Sequence, residues 1–286
     1  MFDFFAENAD LFRCPICCGL MKVHERKSLR CARGHCFDIS KHGYVNLLPR
    51  PVKTKYDKTM FDSRKIISQA GFFQPLDALI TEQIVRYLGR GRDNINILDA
   101  GCGEGSHLAF LQDAIRRETG ASVLGMGIDI SKEAVSLAAR QYPGSLWSVA
   151  DLAKCPLQDR RFPCIVNILS PSNYSEFLRM LARGGIVVKV VPESGYLKEL
   201  RELFYEPDKQ TYSSSGTQER FAHFFKMIEA RRLNYTFRLE RSLIPHLFRM
   251  TPLSWGAGEN AFRKAPDVDD MEVTVDLTVL IGTMPG

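Results

Sequence analysis

Four side chains near the N-terminus have the types and the spacing that bind a soft divalent metal. Cys14 and Cys17 form a C-x2-C pair, and Cys31 and His35 follow after 13 intervening residues as C-x3-H. Thiolates bind zinc well, and a neutral imidazole can complete a tetrahedral shell. Cys36 is an alternative to His35 as the fourth ligand. The pattern predicts one structural zinc ion.

A redox function is the alternative for the C-x2-C pair. Redox pairs of this kind normally open a helix in a thioredoxin-like unit, whereas the residues after Cys17 lack helical periodicity. Five of the eight cysteines lie between Cys14 and Cys36, and three are scattered further along the chain. This clustering favours a metal over the evenly spaced disulfides of a small secreted domain.

The segment LDAGCGEGSHL, residues 98–108, has the pattern of a cofactor-binding turn. Gly101, Gly103 and Gly105 follow an apolar strand and precede a helix, where a backbone without Cβ atoms can turn tightly and approach a ligand. The spacing is G-x-G-x-G rather than the G-x-G-x-x-G of dinucleotide enzymes. Asp99 is poorly placed beside a pyrophosphate but well placed beside the ammonium of methionine. The segment therefore favours S-adenosylmethionine over NAD.

Acidic residues follow the next two predicted strands. Asp129 can accept hydrogen bonds from both ribose hydroxyls, because ligands lie at the carboxyl ends of strands in open α/β sheets. Asp151 and Leu152 follow the third strand, where a side-chain acceptor and a backbone N–H can meet adenine. A glycine loop alone is weak evidence for a cofactor site, and Asp129 alone could cap the following helix. The three features in this order predict a complete cofactor site.

These residues require a scaffold in which strands and helices alternate. The apolar runs predict a parallel, doubly wound α/β sheet, the Rossmann-like fold of class I methyltransferases. Two helices are predicted between Phe61 and Tyr87, broken near Gly71 and Pro75. Alternating apolar residues predict a late antiparallel strand at Met271–Ile281. The other predicted elements are strands at 95–100, 122–130, 145–150, 162–169 and 186–191 and helices at 106–117, 131–142 and 175–182.

Composition divides the chain into three predicted parts. We expect a zinc-binding RNA-recognition module in residues 1–49, a linker and helices in residues 50–90, and a methyltransferase domain in residues 91–286. Between Leu11 and Lys65, 13 Lys or Arg oppose 4 Asp or Glu, giving +9 in a chain whose net charge is +5. Such a basic region either contacts a polyanion or is a solvated face. Tyr44 either stacks on a base or packs the module onto the sheet.

The length of the chain, its apolar runs and its N-terminal residues indicate its cellular compartment. The 286 residues suffice for one α/β domain and a smaller module. No apolar run approaches the roughly 20 residues of a membrane span. The acidic N-terminal decapeptide also lacks the basic region of a secretory signal. These features predict a cytoplasmic protein with no membrane partner.

The order of these motifs resembles the RlmA-type 23S ribosomal RNA (guanine-N1)-methyltransferases. The resemblance covers the chain from about Cys14 to Trp255. It rests on CPIC, CARGHCFD, KHGYVNLLP, MFDSRKIISQAGFFQPL, LDAGCGEG, SVADLAKCPL, VPESGYLKELRELFY and MTPLSW.

The resemblance implies a zinc site and specific cofactor contacts. The zinc ligands it implies are Cys14, Cys17, Cys31 and His35. Gly103, Glu104 and Asp129 fall on contact positions of the family. Two further positions fall on Phe73 and Tyr196, where other members can carry Tyr and His, so the polar contacts there differ. The resemblance also implies a homodimer with a cleft for RNA.

The implied reaction is methylation at N1 of a guanosine in a hairpin of large-subunit ribosomal RNA. N1 bears a proton and lies within the base pair, so the base must be unpaired or flipped out. Alignment of N1 with the methyl group and sulfur supplies most of the acceleration. The sequence identifies no proton acceptor. Ser170, Pro171 and Asn173 are candidates for holding the guanine edge, and the alternative is an ordinary loop with Ser172 or Asn173 as the helix cap.

Two other functions compete with this one. A small-molecule methyltransferase explains the glycine loop and its acids but not the zinc module or the basic region. A non-catalytic, zinc-dependent RNA-binding adaptor with a vestigial cofactor fold predicts decay of the cofactor motifs, yet the glycines and acids are present. Salt-dependent RNA affinity separates the first rival from an RNA methyltransferase, and cofactor binding separates the second.

Overall fold

The computed structural model describes residues 2–52, 56–89, 92–204, 216–251 and 270–285. Most of the MTPLSW segment lies outside these ranges, beyond Thr251, as does part of the predicted linker. Within the described ranges, no helix is long and apolar enough to cross a membrane.

The N-terminal residues form a short helix and a small antiparallel sheet. Helix α1 is Phe2–Glu7. The strands are β1 (Met21–His24), β2 (Ser28–Cys31) and β3 (Cys36–Asp38), paired in the order β1-β2-β3. Strands of three or four residues bury few side chains, so this sheet needs another source of stability.

Two helices follow, as predicted. Helix α2 spans Lys58–Gln69 and begins where Oδ1 of Asp57 accepts a 2.8 Å hydrogen bond from the backbone N–H of Met60. Helix α3 spans Gln74–Leu88 and has a proline in its first turn, where the missing N–H costs nothing. Gly71 lies between the helices at φ +87°, a conformation that strongly favours glycine.

The rest of the described chain forms one large sheet with its associated helices. The strands are β4 (Tyr44–Asn46), β5 (Asn94–Ala100), β6 (Ser122–Asp129), β7 (Leu146–Val149), β8 (Phe162–Ile168), β9 (Leu181–Pro192), β10 (Lys226–Leu239) and β11 (Met271–Thr283). The helices are α4 (Ser106–Thr119), α5 (Lys132–Gln141), α6 (Tyr174–Met180), α7 (Lys198–Phe204), α8 (Thr217–Phe224) and α9 (Ile244–Arg249).

The strand order is β10-β11-β9-β8-β5-β6-β7-β4. Strands β4 to β9 pair in parallel, whereas β11 pairs antiparallel with both β9 and β10. The chain leaves β5 toward β6 and β7 on one side and then returns to β8 on the other. The direction of winding therefore reverses between β5 and β8, which is where open α/β sheets bind ligands. The predicted doubly wound fold and the late antiparallel strand are confirmed.

Two segments that the sequence analysis did assign differ from the structure. Strand β4 pairs with β7 in the large sheet, although its residues were assigned to the N-terminal module. Strand β9 begins at Leu181 rather than at 186, and helix α6 ends at Met180. Gly184 and Gly185 suggested the end of a helix, but they lie inside the strand. A Cβ at Gly185 would be 2.8 Å from the carbonyl oxygen of Pro163 on the neighbouring strand, so glycine is needed there for close approach.

Consecutive strand residues supply two separate hydrophobic clusters, one on each face of the sheet. Ile97 belongs to the first cluster and Leu98 to the second, because successive side chains on a strand point to opposite faces. Phe12 and Leu29 of the N-terminal module also lie in the second cluster. The module is therefore packed onto the sheet and shares its core.

Candidate active site and metal centre

The structure brings Cys14, Cys17, Cys31 and His35 together in one cluster. Their ligand atoms all lie within 4.8 Å of one another. The sulfurs of Cys17 and Cys31 are 3.6 Å apart, and Nδ1 of His35 is 3.4 Å from the sulfurs of both Cys14 and Cys31. Zn–S bonds of about 2.3 Å at a tetrahedral centre place two sulfurs about 3.8 Å apart. The donor set fits zinc in both chemistry and size.

The two alternative thiols lie outside this cluster. Cys18 and Cys36 are both exposed, whereas Cys14 and Cys31 are buried. Of the two residues considered for the fourth position, His35 is the one that the structure groups with the three cysteines. Four protein ligands leave no open position, which is typical of a structural rather than a catalytic zinc site.

Two tight turns orient the metal-binding side chains. In the first, the N–H of Cys14 donates to the carbonyl of Gly19 at 2.8 Å, and the N–H of Cys18 donates to the carbonyl of Cys14 at 2.8 Å. In the second, the N–H of Cys31 donates to the carbonyl of His35 at 3.0 Å. Each turn contains a residue with positive φ, Cys18 at +58° and Gly34 at +84°. The paired turns give this module the form of a zinc ribbon.

The glycine loop connects β5 to α4 at the reversal point of the sheet. Gly101, Gly103 and Gly105 have φ values of +88°, +55° and +87°, which other residues rarely adopt. The N–H of Gly101 donates to the carbonyl of Ile128 at 2.8 Å. A Cβ at Gly105 would be 2.5 Å from the indole ring of Trp147. The loop is thus held close to the end of β6 by conformations and contacts that exclude side chains.

Asp129, at the end of β6, is tied to this loop. Its Oδ2 accepts a 2.9 Å hydrogen bond from the N–H of Gly103, and its Oδ1 accepts one of 2.9 Å from the N–H of Ser131. Burial raises the pKa of Asp129 despite these two donors. The side chain of Ser131, not that of Asp129, caps helix α5 by accepting from Ala134. Asp129 therefore links the loop to the strand end from which its carboxylate can also reach a ligand.

Asp99 and Glu104 add negative charge to the same place. Both are buried, at 2% and 1% exposure. Burial raises the pKa of Asp99 to about 7, and the charges of Asp129 and Glu104 act in the same direction. Among the described residues, the Asp99 carboxylate makes no side-chain hydrogen bond, so its oxygens are available to a cationic group of a ligand, which would favour the ionised form.

Asp151 and Leu152 lie where the chain leaves β7. Asp151 is exposed, and its Oδ1 accepts a 2.8 Å hydrogen bond from the N–H of Ala153. This contact begins a single 3-10 turn at Leu152–Lys154. Both residues thus lie at the carboxyl edge of the sheet, one strand beyond Asp129.

Phe73 precedes the first residue of α3, and Tyr196 lies in the segment after β9. Phe73 is buried and packs edge-on against His107, with ring centroids 4.8 Å apart. Burial raises the pKa of the Tyr196 hydroxyl, and the charge of Arg64 opposes that increase. Arg64, on α2, has its guanidinium carbon 5.9 Å from the centre of the Phe73 ring. Phe73 therefore lies beside both His107 and Arg64, whereas Tyr196 is linked to Arg64 only through the effect of its charge.

The loop after β8 is organised by the buried Asn167. Its Nδ2 donates to the carbonyls of Ala100 at 2.5 Å and of Pro171 at 3.2 Å, and its Oδ1 accepts from the Ser172 hydroxyl at 2.9 Å. Asn173 caps α6, since its Oδ1 accepts from the N–H of Glu176 at 3.3 Å. The helix-cap interpretation of Asn173 therefore describes its contact in this structure.

Two charged residues of this site were not identified from the sequence. Lys189 is buried in β9, and its Nζ donates to Oδ1 of Asn167 and to the carbonyl of Ser170, both at 2.5 Å. Burial lowers the pKa of Lys189 to about 8. A lysine within the apolar run IVVKVV was the available signal for it. Arg64 belongs to no motif, so nothing local in the sequence indicated that it would meet the glycine loop.

The fold, the glycine loop and the Cys3His cluster define a class I S-adenosylmethionine-dependent methyltransferase that carries a zinc ribbon. Two family models match the chain accordingly. The model of the RlmA N-terminal zinc ribbon matches residues 12–58, and a methyltransferase domain model matches residues 97–185.

Similar proteins make the classification more specific. A Bacillus subtilis relative named as a 23S rRNA (guanine-N(1)-)-methyltransferase, YxjB, is 41% identical over 95% of this chain and 96% of its own. The 23S rRNA (guanine(748)-N(1))-methyltransferase of Streptomyces fradiae is 32% identical over 93% of this chain and 95% of its own. A Micromonospora griseorubida relative is 30% identical over 85% of this chain and 86% of its own. The chain belongs to the family of 23S rRNA (guanine-N1)-methyltransferases.

Proposed function

We propose that the protein transfers a methyl group from S-adenosylmethionine to N1 of a guanosine in a hairpin of large-subunit ribosomal RNA. The observation that carries this proposal is the packing of a basic zinc ribbon and a glycine-loop site onto one sheet. A small-molecule methyltransferase needs only the second of these parts. Membership of a family whose relatives are named for this reaction supports the same substrate.

The proposed cofactor contacts follow one another along the carboxyl edge of the sheet. We infer that Gly101, Gly103 and Gly105 let the backbone approach the methionine part, with Asp99 and Glu104 beside its ammonium. Asp129 would accept hydrogen bonds from the ribose. Asp151 and the backbone of Leu152 would meet adenine, with Phe73 and Tyr196 at the methionine end. When bound, the cofactor supplies an electrophilic methyl group on a sulfonium.

The chain's own contribution to the reaction is positioning. Guanine N1 must leave its base pair to be reached, and the loop at Ser170 and Pro171 lies beside Gly101, where an added Cβ would collide with the Ser170 side chain. The carbonyls of Ser170 and Pro171 already accept from Lys189 and Asn167, and the second lone pair of each oxygen would hold the guanine edge. Asn167 and Lys189 fix the loop from below, so the base would be presented in one orientation.

The zinc ion would have a structural role in RNA recognition. Its four ligands would hold the module rigid and present basic side chains such as Arg30 and Arg33, which are exposed, to the phosphate backbone. A homodimer that forms a cleft for RNA and a cytoplasmic location, where ribosomal RNA is modified, belong to the same proposal.

Methyl transfer from labelled S-adenosylmethionine to unmodified ribosomal RNA tests the proposal, with mass spectrometry of the digested nucleosides. We expect 1-methylguanosine confined to large-subunit RNA. A preparation with zinc and cofactor bound that modifies neither naked RNA nor ribosomal particles would contradict the substrate assignment. Salt-independent RNA affinity would favour the small-molecule rival, and absence of cofactor binding would favour the adaptor.

A further inference from the structure

Arg64 lies against the glycine loop although 37 residues lie between it and Cys102 in the sequence. An added Cβ at Gly103 would be 3.7 Å from both Nε and Cζ of Arg64. The Arg64 side chain is only 15% exposed. Its guanidinium therefore covers the part of the loop that, in the proposed function, approaches the methionine part of the cofactor.

The Arg64 guanidinium has one ionic partner and unused donors. Its Nε is 3.1 Å from Oε2 of Glu104. Among the described residues, neither of these two buried atoms has a hydrogen-bond partner of good geometry. No hydrogen bond from Arg64 to any other described residue is found either. A guanidinium carries five N–H donors in a planar fork, so this one retains the capacity to bind an anion.

The negative charges around the glycine loop would disfavour the carboxylate of the methionine part unless a cation lies beside it. Asp99, Glu104 and Asp129 suit the ammonium of the methionine part, but they repel its carboxylate. The positive charge of Arg64 acts on both Asp99 and Asp129, where it opposes the rise in pKa caused by burial. Arg64 is also 3.1 Å from Glu104 and lies over Gly103, whose N–H donates to Asp129, so it can meet a carboxylate placed among these acids.

Two other side chains near the loop can carry positive charge, and both are already engaged. Nδ1 of His107 is 2.6 Å from Oδ1 of Asp77, and Lys189 is held by the loop that follows β8. Its Nζ donates to Asn167 and to the carbonyl of Ser170, below the loop that follows β8. Phe73, by contrast, lies against Arg64. An arginine over an aromatic ring loses little freedom when it binds a carboxylate, so the Arg64 side chain is prepared for this contact.

We propose that Arg64 binds the carboxylate of the methionine part of S-adenosylmethionine through its terminal N–H groups. Glu104 retains its pairing with Nε and holds the guanidinium in place. The proposal rests on the proposed function only in requiring that the cofactor bind at the glycine loop. It makes Arg64 the residue that distinguishes ligands with the amino-acid portion from ligands without it.

The test compares two ligands by isothermal titration calorimetry on the full, zinc-loaded chain. S-adenosylhomocysteine carries the carboxylate, and 5′-methylthioadenosine lacks the whole amino-acid portion. We expect Arg64→Gln to weaken S-adenosylhomocysteine binding about 10- to 100-fold, the usual size of a charge-assisted contact. Binding of 5′-methylthioadenosine should change less than about twofold by the same reasoning. Arg64→Lys keeps the charge without the fork and should give an intermediate loss for the first ligand only.

Arg86→Gln is the matched control, because Arg86 is also a helical arginine paired with a glutamate, Glu229 at 3.3 Å. It should bind both ligands as the unmodified protein does. An equal loss of both ligands in Arg64→Gln and Arg64→Lys would overturn the proposal and assign Arg64 to supporting the loop through Glu104. No loss in either variant would overturn it as well. Failure of the unmodified protein to bind S-adenosylhomocysteine would instead count against the proposed function.

Discussion

A pair of glycine substitutions at the two ends of helix α4 measures how tightly the glycine loop is packed. Gly105 precedes the helix at φ +87°, and Gly120 follows it at φ +74°. Gly105→Ala and Gly120→Ala therefore both place a Cβ in the left-handed region, at a cost of about 1–2 kcal/mol each. The two positions differ in their surroundings. The added methyl group would be 2.5 Å from Trp147 and 2.9 Å from Ala138 at Gly105, whereas nothing lies within 4 Å at Gly120.

The structure sets the expected difference between the two variants. Inserting a methyl group into a packed core costs about 1–3 kcal/mol more than the backbone strain. Gly105→Ala should therefore lose about 2–5 kcal/mol in total and Gly120→Ala about 1–2 kcal/mol. Because about 1 kcal/mol lowers Tm by about 2–4 °C in a domain of this size, the two melting temperatures should differ by about 5 °C.

Differential scanning calorimetry and urea denaturation of both variants provide the measurement. Gly105→Ala should also weaken S-adenosylhomocysteine binding, because the loop must move away from Trp147, and Gly120→Ala should not. Equal melting temperatures for the two variants would refute the reasoning, since they would mean that the indole ring and Ala138 yield at no cost. Circular dichroism at low temperature checks that both variants start folded.

Three further predictions concern the metal, a buried acid and a buried lysine. Cys17→Ser should lose zinc to a chelator that leaves zinc bound in Cys18→Ser, as measured by metal analysis, because only Cys17 belongs to the ligand cluster. Burial raises the pKa of Asp99 in the folded protein to about 7 from 3.8. Between these two pH values the folded protein holds the Asp99 proton and the unfolded chain does not, so the free energy of unfolding falls as pH rises from about 4 to about 7. Asp99→Asn should lessen that fall in urea unfolding at pH 5 and pH 7. Lys189→Met should lower kcat on RNA about tenfold or more while leaving S-adenosylhomocysteine affinity intact, because Lys189 holds the loop after β8.

Each of these predictions has a result that would contradict it. Equal zinc retention by Cys17→Ser and Cys18→Ser would contradict the assignment of Cys17 as a zinc ligand. An unchanged pH dependence of stability in Asp99→Asn would mean that Asp99 is ionised throughout this pH range. Parallel loss of S-adenosylhomocysteine binding and turnover in Lys189→Met would indicate a general disturbance of the sheet rather than of one loop.

Patterns within a few residues of one another predicted much of this protein. The glycine loop, the strand before it and the helix after it are contiguous, so the segment from Asp99 to Gly105 could be assigned from its own composition. The zinc cluster could also be predicted from the sequence, because the C-x2-C pair and the C-x3-H pair each lie within one turn. The assignments of Asp151, Leu152, Phe73 and Tyr196 to the cofactor remain predictions.

Features that depend on distant partners could not be predicted in this way. Strand β4 has only three residues, too few for a periodic pattern, and it exists because β7 offers parallel hydrogen bonds more than 100 residues later. Strand β10 was missed because Glu229 occupies a partly buried position, Ile228 is exposed, and the pairing with β11 shifts register between Met227 and Glu229. Arg64 reaches the glycine loop only through the packing of α2.

The pairing of β4 with β7 also bears on how the two parts of the chain can be separated. Without β4, strand β7 would be an open edge of a parallel sheet, with the backbone N–H and C=O groups of Trp147, Ser148 and Val149 exposed to any other extended chain. By pairing with β7, strand β4 covers this edge and so protects the sheet from edge-to-edge aggregation. A methyltransferase domain cut out after residue 49 would expose this unpaired edge next to Asp151 and Leu152, which gives a reason for the ribbon and the sheet to be inherited as a single unit.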